Sequence, residues 1–403
     1  MMGNPSRVRV TGPLQPYAAG FADELGRLGY RPNAAADQLR LMAHVSRWLE
    51  VHQFGVGDLT PDRVDEFLCD RRAAGYTLWL SPKATEPMLV FLGGLGVAPD
   101  PPPTPRTAAE ELIEIFRAYL IEERGLATST VTSYRYVAGL FLDSRYVDEA
   151  ADLGDLTGRQ VTEFVLAETA DRSVGSAQFV ACGLRAFLRF GYVTGRTGSK
   201  LDAAVPKIAS WRQSGVPGSI SRTEVEALLA ACDRRTTFGR RDYAALVLMI
   251  RLGLRAGEVA ALELDDVDWR AGEVVIRGKG NRTECLPLPS DVGDAVAGWI
   301  RRGRPRCDTR AVFTRVRAPH QALSVGGVGA IVRSAASRAN LSGINAHRLR
   351  HTAATGMLAA GADLAEIGQV LRHTSVLTTA IYAKVDDLSL RPLALPWPQE
   401  VVS

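Results

Sequence analysis

The sequence has 403 residues, of which 46% are hydrophobic and 23% charged, with a formal net charge of +4. These values are ordinary for a globular protein, and the length corresponds to roughly two to four domains. No stretch reaches the roughly 18 to 20 apolar residues that a membrane-spanning helix needs; the longest strongly apolar run, residues 244–250, ends at Arg251. The N-terminal segment lacks the apolar core of a signal peptide. The sequence therefore argues against a membrane protein and predicts a cytoplasmic one.

The cysteines are dispersed along the chain, and no two of them form a CxxC pair. Such a set argues against a disulfide framework and against a structural zinc site. We interpret all of them as isolated thiols, buried or at the surface. They are Cys69, Cys182, Cys232, Cys285 and Cys307.

Positive charge is concentrated towards the C-terminus. Residues 206–391 contain 27 Lys and Arg against 18 Asp and Glu, a net charge of +9, whereas the other residues have a net charge of −5. A positive field of this kind favours a partner with a phosphate backbone. Solvated arginines that bind nothing would give the same count, so the charge only supports a nucleic-acid partner.

Two breaks in composition divide the chain into three blocks. The segment VAPDPPPTPR at 97–106 has clustered prolines, which favour an extended linker. A second segment rich in Gly, Ser and Pro covers about 195–218. The predicted organisation is an N-terminal helical domain at 1–97, a linker at 98–105, a second helical domain at 106–200, a linker at 201–211, a third domain at 212–391 and a tail at 392–403.

The first two blocks contain a repeated segment. DLTPDRVDEFL at 58–68 returns as DLTGRQVTEFV at 155–165. Apolar residues at helical spacing precede each copy. They are Leu41, Met42, Val45, Trp48 and Leu49 in the first block and Val131, Tyr134, Ala138 and Phe141 in the second. The pattern favours two copies of one small helical unit, although a chance similarity between two helix starts would look the same.

The third block is predicted to be helical with a small β insert. Ser221 and Glu224 have the S-x-x-E spacing of a capping box, which predicts a helix at 225–232. Residues 273–277 and 283–288 predict two strands joined by the polar turn 278–282. From about Val325 onward the pattern is helical again. The predicted fold class is mainly α with a small β-hairpin.

Two imidazoles and a guanidinium share one helix face in the segment HRLRH. On a helix, His347, Arg350 and His351 lie on the same side. Two histidines at this spacing can bind zinc, but no Glu follows the first histidine and the arginines would repel a cation. A packing role inside a helical core remains an alternative. An anion such as a phosphate fits these side chains better.

Two further cationic positions precede this segment. Arg255 follows an apolar helix, and Glu258 is placed to orient it through a charge-assisted hydrogen bond. Arg255 and Arg350 together would bind the non-bridging oxygens of a phosphodiester from two sides. Lys279 lies in the glycine-flanked turn of the predicted hairpin, where it would reach a groove and donate a proton to a leaving oxygen. An exposed lysine without a function is equally common in such turns.

A tyrosine follows all these cationic residues. Tyr382 lies nine residues after His373, within a predicted helix. A tyrosine in such a helix usually belongs to the core or its rim. The order Arg255, Lys279, His347, Arg350, His373, Tyr382 nevertheless resembles the signature of the tyrosine recombinases, or phage-type integrases. The segments GLRAGE and HRLRHTAAT match that family's motifs almost residue for residue.

The resemblance implies a mixed α+β catalytic domain in the third block and a helical core-binding domain at 106–200. Two departures are visible. The family's third motif commonly has Gly where this chain has Arg372, which indicates either a different local backbone or an extra phosphate contact. The N-terminal block is unlike the small β-rich arm-binding domain of some phage integrases and looks like a second core-binding unit.

The resemblance also implies a mechanism that uses no cofactor and no metal. Tyr382 would attack the scissile phosphate and form a 3′-phosphotyrosine with release of a 5′-hydroxyl. Arg255 and Arg350 would stabilise the charge of the transition state. The covalent intermediate would conserve the energy of the broken bond, so that rejoining needs no ATP.

The remaining motif residues receive supporting roles from the same resemblance. Lys279 would protonate the leaving oxygen, His347 would accept the tyrosine proton, and His373 would donate a hydrogen bond to a phosphate oxygen. Glu258 would orient its arginine. We interpret His351 as a helix-packing residue beside the site.

The expected partners are double-stranded DNA at two recombination sites and three further protomers, either copies of the chain or related recombinases, in a tetramer associated with the nucleoid. Integration or transposition of a mobile element is the expected role. The alternatives are an enzyme that relaxes DNA in the manner of topoisomerase IB, an architectural DNA-binding protein without catalysis, and a metal-dependent nuclease. The last of these lacks an acidic cluster near the cationic motifs.

Overall fold

The computed structural model is mainly α-helical with one small antiparallel sheet, as the sequence predicts. The chain divides into two compact units, one within Met1–Asp100 and Gly215–Ser403 and the other within Pro101–Ser214. The first and third blocks therefore fall within the same compact unit. The structure describes residues 5–99, 107–144, 152–209, 218–278 and 283–372, together with Thr379 and Tyr382.

The first block is a four-helix unit with its own hydrophobic core. The second helix buries Leu41, Met42 and Leu49 on one face, as their spacing predicts. Trp48 lies at the edge of that face, where its indole N–H donates to Asp70 at 2.8 Å. The helices are α1 (Ala18–Arg27), α2 (Pro32–Val51), α3 (Pro61–Ala73) and α4 (Pro82–Gly94).

The second block likewise has four α-helices among its described residues, and its core is rich in phenylalanine. The rings of Phe116 and Phe187 meet edge to face with centroids 5.2 Å apart. Leu201 and Val205 are buried in this core, although the sequence suggests a linker there. The helices are α5 (Ala108–Glu122), α6 (Thr128–Asp143), α7 (Gly158–Thr169) and α8 (Val174–Val193).

The repeated segment occupies the same place in both blocks. It forms the N-terminus of the third of four helices, α3 in the first block and α7 in the second. Thr60 caps α3 by accepting a hydrogen bond from the Arg63 amide at 3.4 Å. Thr157 caps α7 by accepting one from the Gln160 amide, also at 3.4 Å. The same local interaction therefore starts both helices.

The third block combines seven helices and three strands among its described residues. The predicted capping box is present, since Glu224 accepts from the Ser221 amide at 2.7 Å. Because Ser221 is the N-cap, its helix spans 222–230 rather than the expected 225–232. The elements are α9 (Arg222–Ala230), α10 (Thr237–Arg251), α11 (Ala256–Ala261), β1 (Val267–Asp268), β2 (Glu273–Arg277), β3 (Thr283–Pro287), α12 (Ser290–Arg302), α13 (Val325–Arg338), α14 (Ala346–Ala359) and α15 (Leu364–Val370).

The small sheet has the strand order β1-β2-β3, and neighbouring strands are antiparallel. Val275 pairs with Cys285 in the predicted hairpin. The turn that contains Lys279 lies outside the described residues. Strand β1 has only two residues, so it carries no alternation that a sequence would reveal.

Helix α10 lies at the centre of the third block and positions the site. It is packed by α12, α13 and α14, and its residues Ala244, Leu246 and Leu248 are fully buried. The chain leaves this helix through Gly253 and reaches Arg255, which is the N-cap of α11. A rigid apolar helix thus fixes where the Arg255 backbone lies.

Among the described residues, the first and third blocks are in contact around Leu28 and His320. The His320 amide donates to the Leu28 carbonyl at 3.1 Å, and Arg27 pairs with Asp308 at 2.6 Å. Gly29 has a φ of +82° and lies against the His320 ring, where an added Cβ would be 2.0 Å from Cδ2. A side chain at position 29 is therefore incompatible with this arrangement of the ring.

Candidate active site

At one edge of the site, the backbone at Gly253 lies so close to Leu371 that only glycine fits there. Gly253 has a φ of +62°, and a Cβ built there would lie 2.4 Å from a methyl group of Leu371. The turn before Arg255 therefore lies directly against the end of α15. Two segments that are far apart in sequence meet at this point.

Glu258 binds two arginines at once. Its Oε1 accepts from the Arg255 guanidinium at 2.7 Å, and its Oε2 accepts from the Arg255 amide at 2.8 Å. Oε2 also accepts from Nη2 of Arg372 at 2.7 Å. Burial acts to raise the pKa of Glu258, but the Arg255 amide and the two guanidinium groups lower it on balance. The carboxylate is therefore ionised, and both of its oxygens accept hydrogen bonds.

Arg350 is buried and holds the backbone of both converging segments. Its guanidinium donates to the Gly253 carbonyl at 2.6 Å and to the Leu371 carbonyl. Burial and the nearby Arg255 charge lower the pKa of Arg350 to about 10, so the side chain is still charged at neutral pH. A guanidinium has five N–H donors, and these two carbonyls leave others for a ligand.

Helix α14 presents the two histidines beside Arg350. Asn345 caps this helix by accepting from the His347 and Arg348 amides at 3.0 and 3.1 Å. The rings of His347 and His351 lie edge to face with centroids 4.3 Å apart. Burial, followed by the charges of Arg350 and Arg255, lowers the pKa of His347. The shared helix face that the sequence predicts is thus present.

Tyr382 is buried, with 1% of its surface exposed, and its hydroxyl lies 2.8 Å from Nδ1 of His351. Burial raises the pKa of Tyr382, against the opposing effect of Arg350. Burial, followed by the charges of His347 and Arg350, lowers the pKa of His351 to about 4. The geometry therefore fits a phenol that donates to a neutral imidazole. His351, which the sequence assigns to helix packing, thus contacts the tyrosine hydroxyl.

The structure brings most of the predicted site residues into one place. Lys279 and His373 lie outside the described residues. A signal for the His351 contact was present in the sequence, since His351 shares a helix face with His347 and Arg350. The residues that converge are Arg255, Glu258, His347, Arg350, His351 and Tyr382.

Two features are absent from the described residues. Within that part of the chain, no helix is long and apolar enough to cross a membrane. Among the same residues, no three His, Cys, Asp or Glu side chains are grouped as a metal ion would need.

Comparison with known proteins identifies the family. The phage integrase family matches residues 219–388. A protein described as an integrase/recombinase, y4rA of Sinorhizobium fredii, is 38% identical over 399 residues, which cover 96% of each chain. The chain belongs to the phage integrase family of tyrosine recombinases. Tyrosine recombinase XerC of Oceanobacillus iheyensis is 31% identical over 297 residues, covering 70% of this recombinase and 94% of XerC.

Solved structures share the fold of this recombinase. XerH site-specific recombinase, bound to palindromic difH substrate in a post-cleavage complex, superposes with a TM-score of 0.55 at 17% identity. The match covers 83% of this chain and 95% of XerH. A lambda integrase dimer bound to a COC′ core site gives a TM-score of 0.53 at 16% identity, covering 73% of this chain and 99% of that one. Family membership, shown by the family match and by the relatives y4rA and XerC, makes the protein a tyrosine-type enzyme that breaks and rejoins DNA.

The recombinase departs from the common form of the third motif at Arg372. This residue has a φ of 54°, in the left-handed region that glycine adopts readily. Its side chain is 5% exposed, and besides Glu258 it donates to the Val370 carbonyl at 2.8 Å. The backbone therefore keeps a glycine-like conformation while the side chain is turned inward. The ion pair with Glu258 is a contact that sequence reasoning missed.

Proposed function

We propose that the recombinase cleaves and rejoins duplex DNA at a defined site by attack of Tyr382 on the scissile phosphate. The observation that carries the proposal is the placement of the Tyr382 hydroxyl against His351, one residue from the buried Arg350. Attack forms a bond between the tyrosine oxygen and phosphorus, and it breaks the bond to the 5′-oxygen. The products are a 3′-phosphotyrosine and a free 5′-hydroxyl.

Arg255 and Arg350 are proposed to bind the non-bridging oxygens. The Arg255 side chain is 43% exposed although Nη1 of its guanidinium is bound by Glu258. Part of the guanidinium therefore faces solvent. Arg350 is fixed by its two backbone carbonyls and retains unused N–H donors. Both charges are positioned before the substrate arrives, which is the condition for electrostatic stabilisation of a transition state.

The tyrosine proton is proposed to leave through the histidine pair. The lowered pKa of His351 and the raised pKa of Tyr382 keep the proton on the tyrosine at rest. A bound phosphodiester adds negative charge beside the imidazoles and offsets the arginines, which raises the pKa of the histidines. DNA binding would thus make His351 a better proton acceptor. His347, whose ring contacts that of His351, would be affected in the same direction.

Lys279 and His373 complete the proposed site. Lys279 would give its proton to the leaving 5′-oxygen, and His373 would donate a hydrogen bond to a phosphate oxygen. Both roles rest on the match of these positions to the family's motifs.

The proposed substrate is a pair of duplex sites held by four copies of the chain. The DNA-bound states named for XerH and for the lambda integrase dimer support this, as does the net charge of the third block. The relative y4rA, described as an integrase/recombinase, matches along 96% of both chains, which supports a role in integration. Transposition of a mobile element is proposed as the other form of this role. Such an enzyme would work in the cytoplasm, associated with the nucleoid.

The first block is proposed to be a second core-binding unit that contacts DNA. Both blocks have four helices, and the repeated segment starts the third helix of each with the same threonine cap. Two such units would extend the contact along the duplex beyond what one provides.

The proposal is tested with suicide DNA substrates made from the ends of the mobile element that the enzyme is proposed to integrate or transpose. The protein and the Tyr382→Phe variant are incubated with them in EDTA and resolved on denaturing gels. We expect a covalent protein–DNA adduct only when the tyrosine is present, with DNA binding by the variant nearly unchanged. Specific binding without any adduct would favour an architectural protein. Relaxation of a plasmid without a defined site or a second duplex would favour the topoisomerase-like alternative.

A further inference from the structure

Glu258 offsets the positive charge of Arg255, and Arg372 restores it. A carboxylate bonded to Arg255 fixes that side chain, but it also cancels the positive charge that a phosphate needs. Glu258 and Arg255 alone have no net charge, whereas the three residues together carry one positive charge. Because all three are joined by contacts of 2.7 Å, a phosphate at Arg255 experiences the sum of their charges.

The backbone indicates that this ion pair is maintained against a conformational preference. Left-handed backbone is unfavourable for a residue with a Cβ, and glycine would adopt the φ of 54° at position 372 more easily. An arginine at this position gains the Glu258 carboxylate and the Val370 carbonyl in return. The side-chain contacts therefore compensate the strained backbone.

A direct contact between Arg372 and DNA does not fit the geometry. The side chain is 5% exposed. Its Nη1 and Nη2 are bound to Val370 and Glu258, and its Nε is buried without a hydrogen-bond partner in the described structure. The guanidinium is thus directed into the protein, and any effect on a phosphate passes through Glu258.

We propose that Arg372 is a positioning residue for strand cleavage: it binds the second oxygen of Glu258, so that Glu258 orients Arg255 without neutralising the site. The inference rests on the proposed role of Arg255 at the scissile phosphate. It links the first motif to the third through a buried Arg–Glu–Arg triad. In a chain with glycine at position 372 this triad is absent.

The test compares Arg372→Gly and Arg372→Lys with the unsubstituted protein. Glycine suits the backbone, so the first variant is expected to fold, and its melting temperature checks this. Asn340→Gly is the matched control, because Asn340 also has a φ of 54° and takes no part in the site. The rate of adduct formation is measured in a single turnover at saturating DNA. The Kd is measured separately with each substitution combined with Tyr382→Phe.

We expect Arg372→Gly to slow adduct formation about tenfold or more, with a Kd that stays within about threefold. Arg372→Lys keeps the charge and should recover part of the rate, and Asn340→Gly should cleave normally. In a Glu258→Gln background, Arg372→Gly should have a smaller effect, because the part of its effect that passes through the Glu258 carboxylate is already lost.

Three results would overturn the inference. The first is a normal cleavage rate in Arg372→Gly. The second is a loss of DNA affinity as large as the loss of rate, which would make Arg372 a DNA contact. The third is an undiminished effect in the Glu258→Gln background. If the unsubstituted protein itself formed no adduct, the proposed function would fall first, and the inference with it.

Discussion

Replacing His351 by glutamine should make the protein less sensitive to acid. Burial, followed by the charges of His347 and Arg350, lowers the pKa of His351 to about 4 from its ordinary 6.5. A group with a lower pKa in the folded than in the unfolded protein takes up its proton on unfolding. The stability linked to the neutral imidazole is therefore complete above about pH 6.5, and it is lost as the pH falls towards about 4.

The size of the effect follows from the two pKa values. Between about pH 7 and about pH 4.5, the difference between the two pKa values corresponds to about 2 kcal/mol of unfolding free energy. His351 is partly exposed, and solvent screening reduces this figure to about 1 to 2 kcal/mol. The glutamine variant does not titrate at this position, so it should lose less stability over the same interval. Carboxylates elsewhere titrate equally in both proteins, so their contribution cancels.

Urea unfolding at the two pH values, followed by circular dichroism, measures this difference. Tyr382→Phe is the control, because it keeps the imidazole and the neighbouring charges and removes only the hydroxyl. It should respond to acid as the unsubstituted protein does. Equal acid sensitivity of the unsubstituted protein and the His351→Gln variant would refute the reasoning.

Three further predictions concern stability. Gly29→Ala places a methyl group 2.0 Å from the His320 ring at a φ of +82°, whereas Gly75→Ala has a φ of +78° and open space. The first variant should therefore lose about 1 to 2 kcal/mol more than the second in calorimetry, and equal losses would contradict the contact between the blocks. Phe187→Ala empties a fully buried site and should cost about 3 to 5 kcal/mol in urea unfolding; a cost near zero would show that this core is not packed as described. Thr157→Ala removes the cap of α7 and should cost about 1 kcal/mol by the same measurement, with no change if the cap is absent in solution.

Elements with strong local signals were predictable from the sequence. Strands β2 and β3 were predicted almost to the residue, because a polar turn separates two apolar runs. The linker predicted at 201–211 rests on composition alone. Glycines and prolines surround it, yet Arg185 donates to the Val205 and Pro206 carbonyls at 3.2 and 2.7 Å and fixes the segment on the core of the second block. That contact depends on tertiary structure, which no local pattern encodes.

The candidate site divides in the same way. The residue types and their order along the chain predicted that Arg255, Arg350 and Tyr382 belong together. The partners within the site could not be predicted, because they join distant segments. Arg372 and Glu258 are 114 positions apart, and Tyr382 and His351 are 31 apart.

Arg350 has a consequence for how the enzyme tolerates mutation. Its guanidinium supports the carbonyl two residues before Arg255 and the carbonyl immediately before Arg372, so folding and chemistry depend on the same side chain. In a deep mutational scan, substitutions at position 350 should be depleted under selection for folded protein as well as under selection for recombination. Conservative substitutions at position 382 should be depleted only under the second selection. Loss of the tyrosine alone should therefore leave a folded DNA-binding protein without catalysis, whereas loss of the arginine should remove both properties.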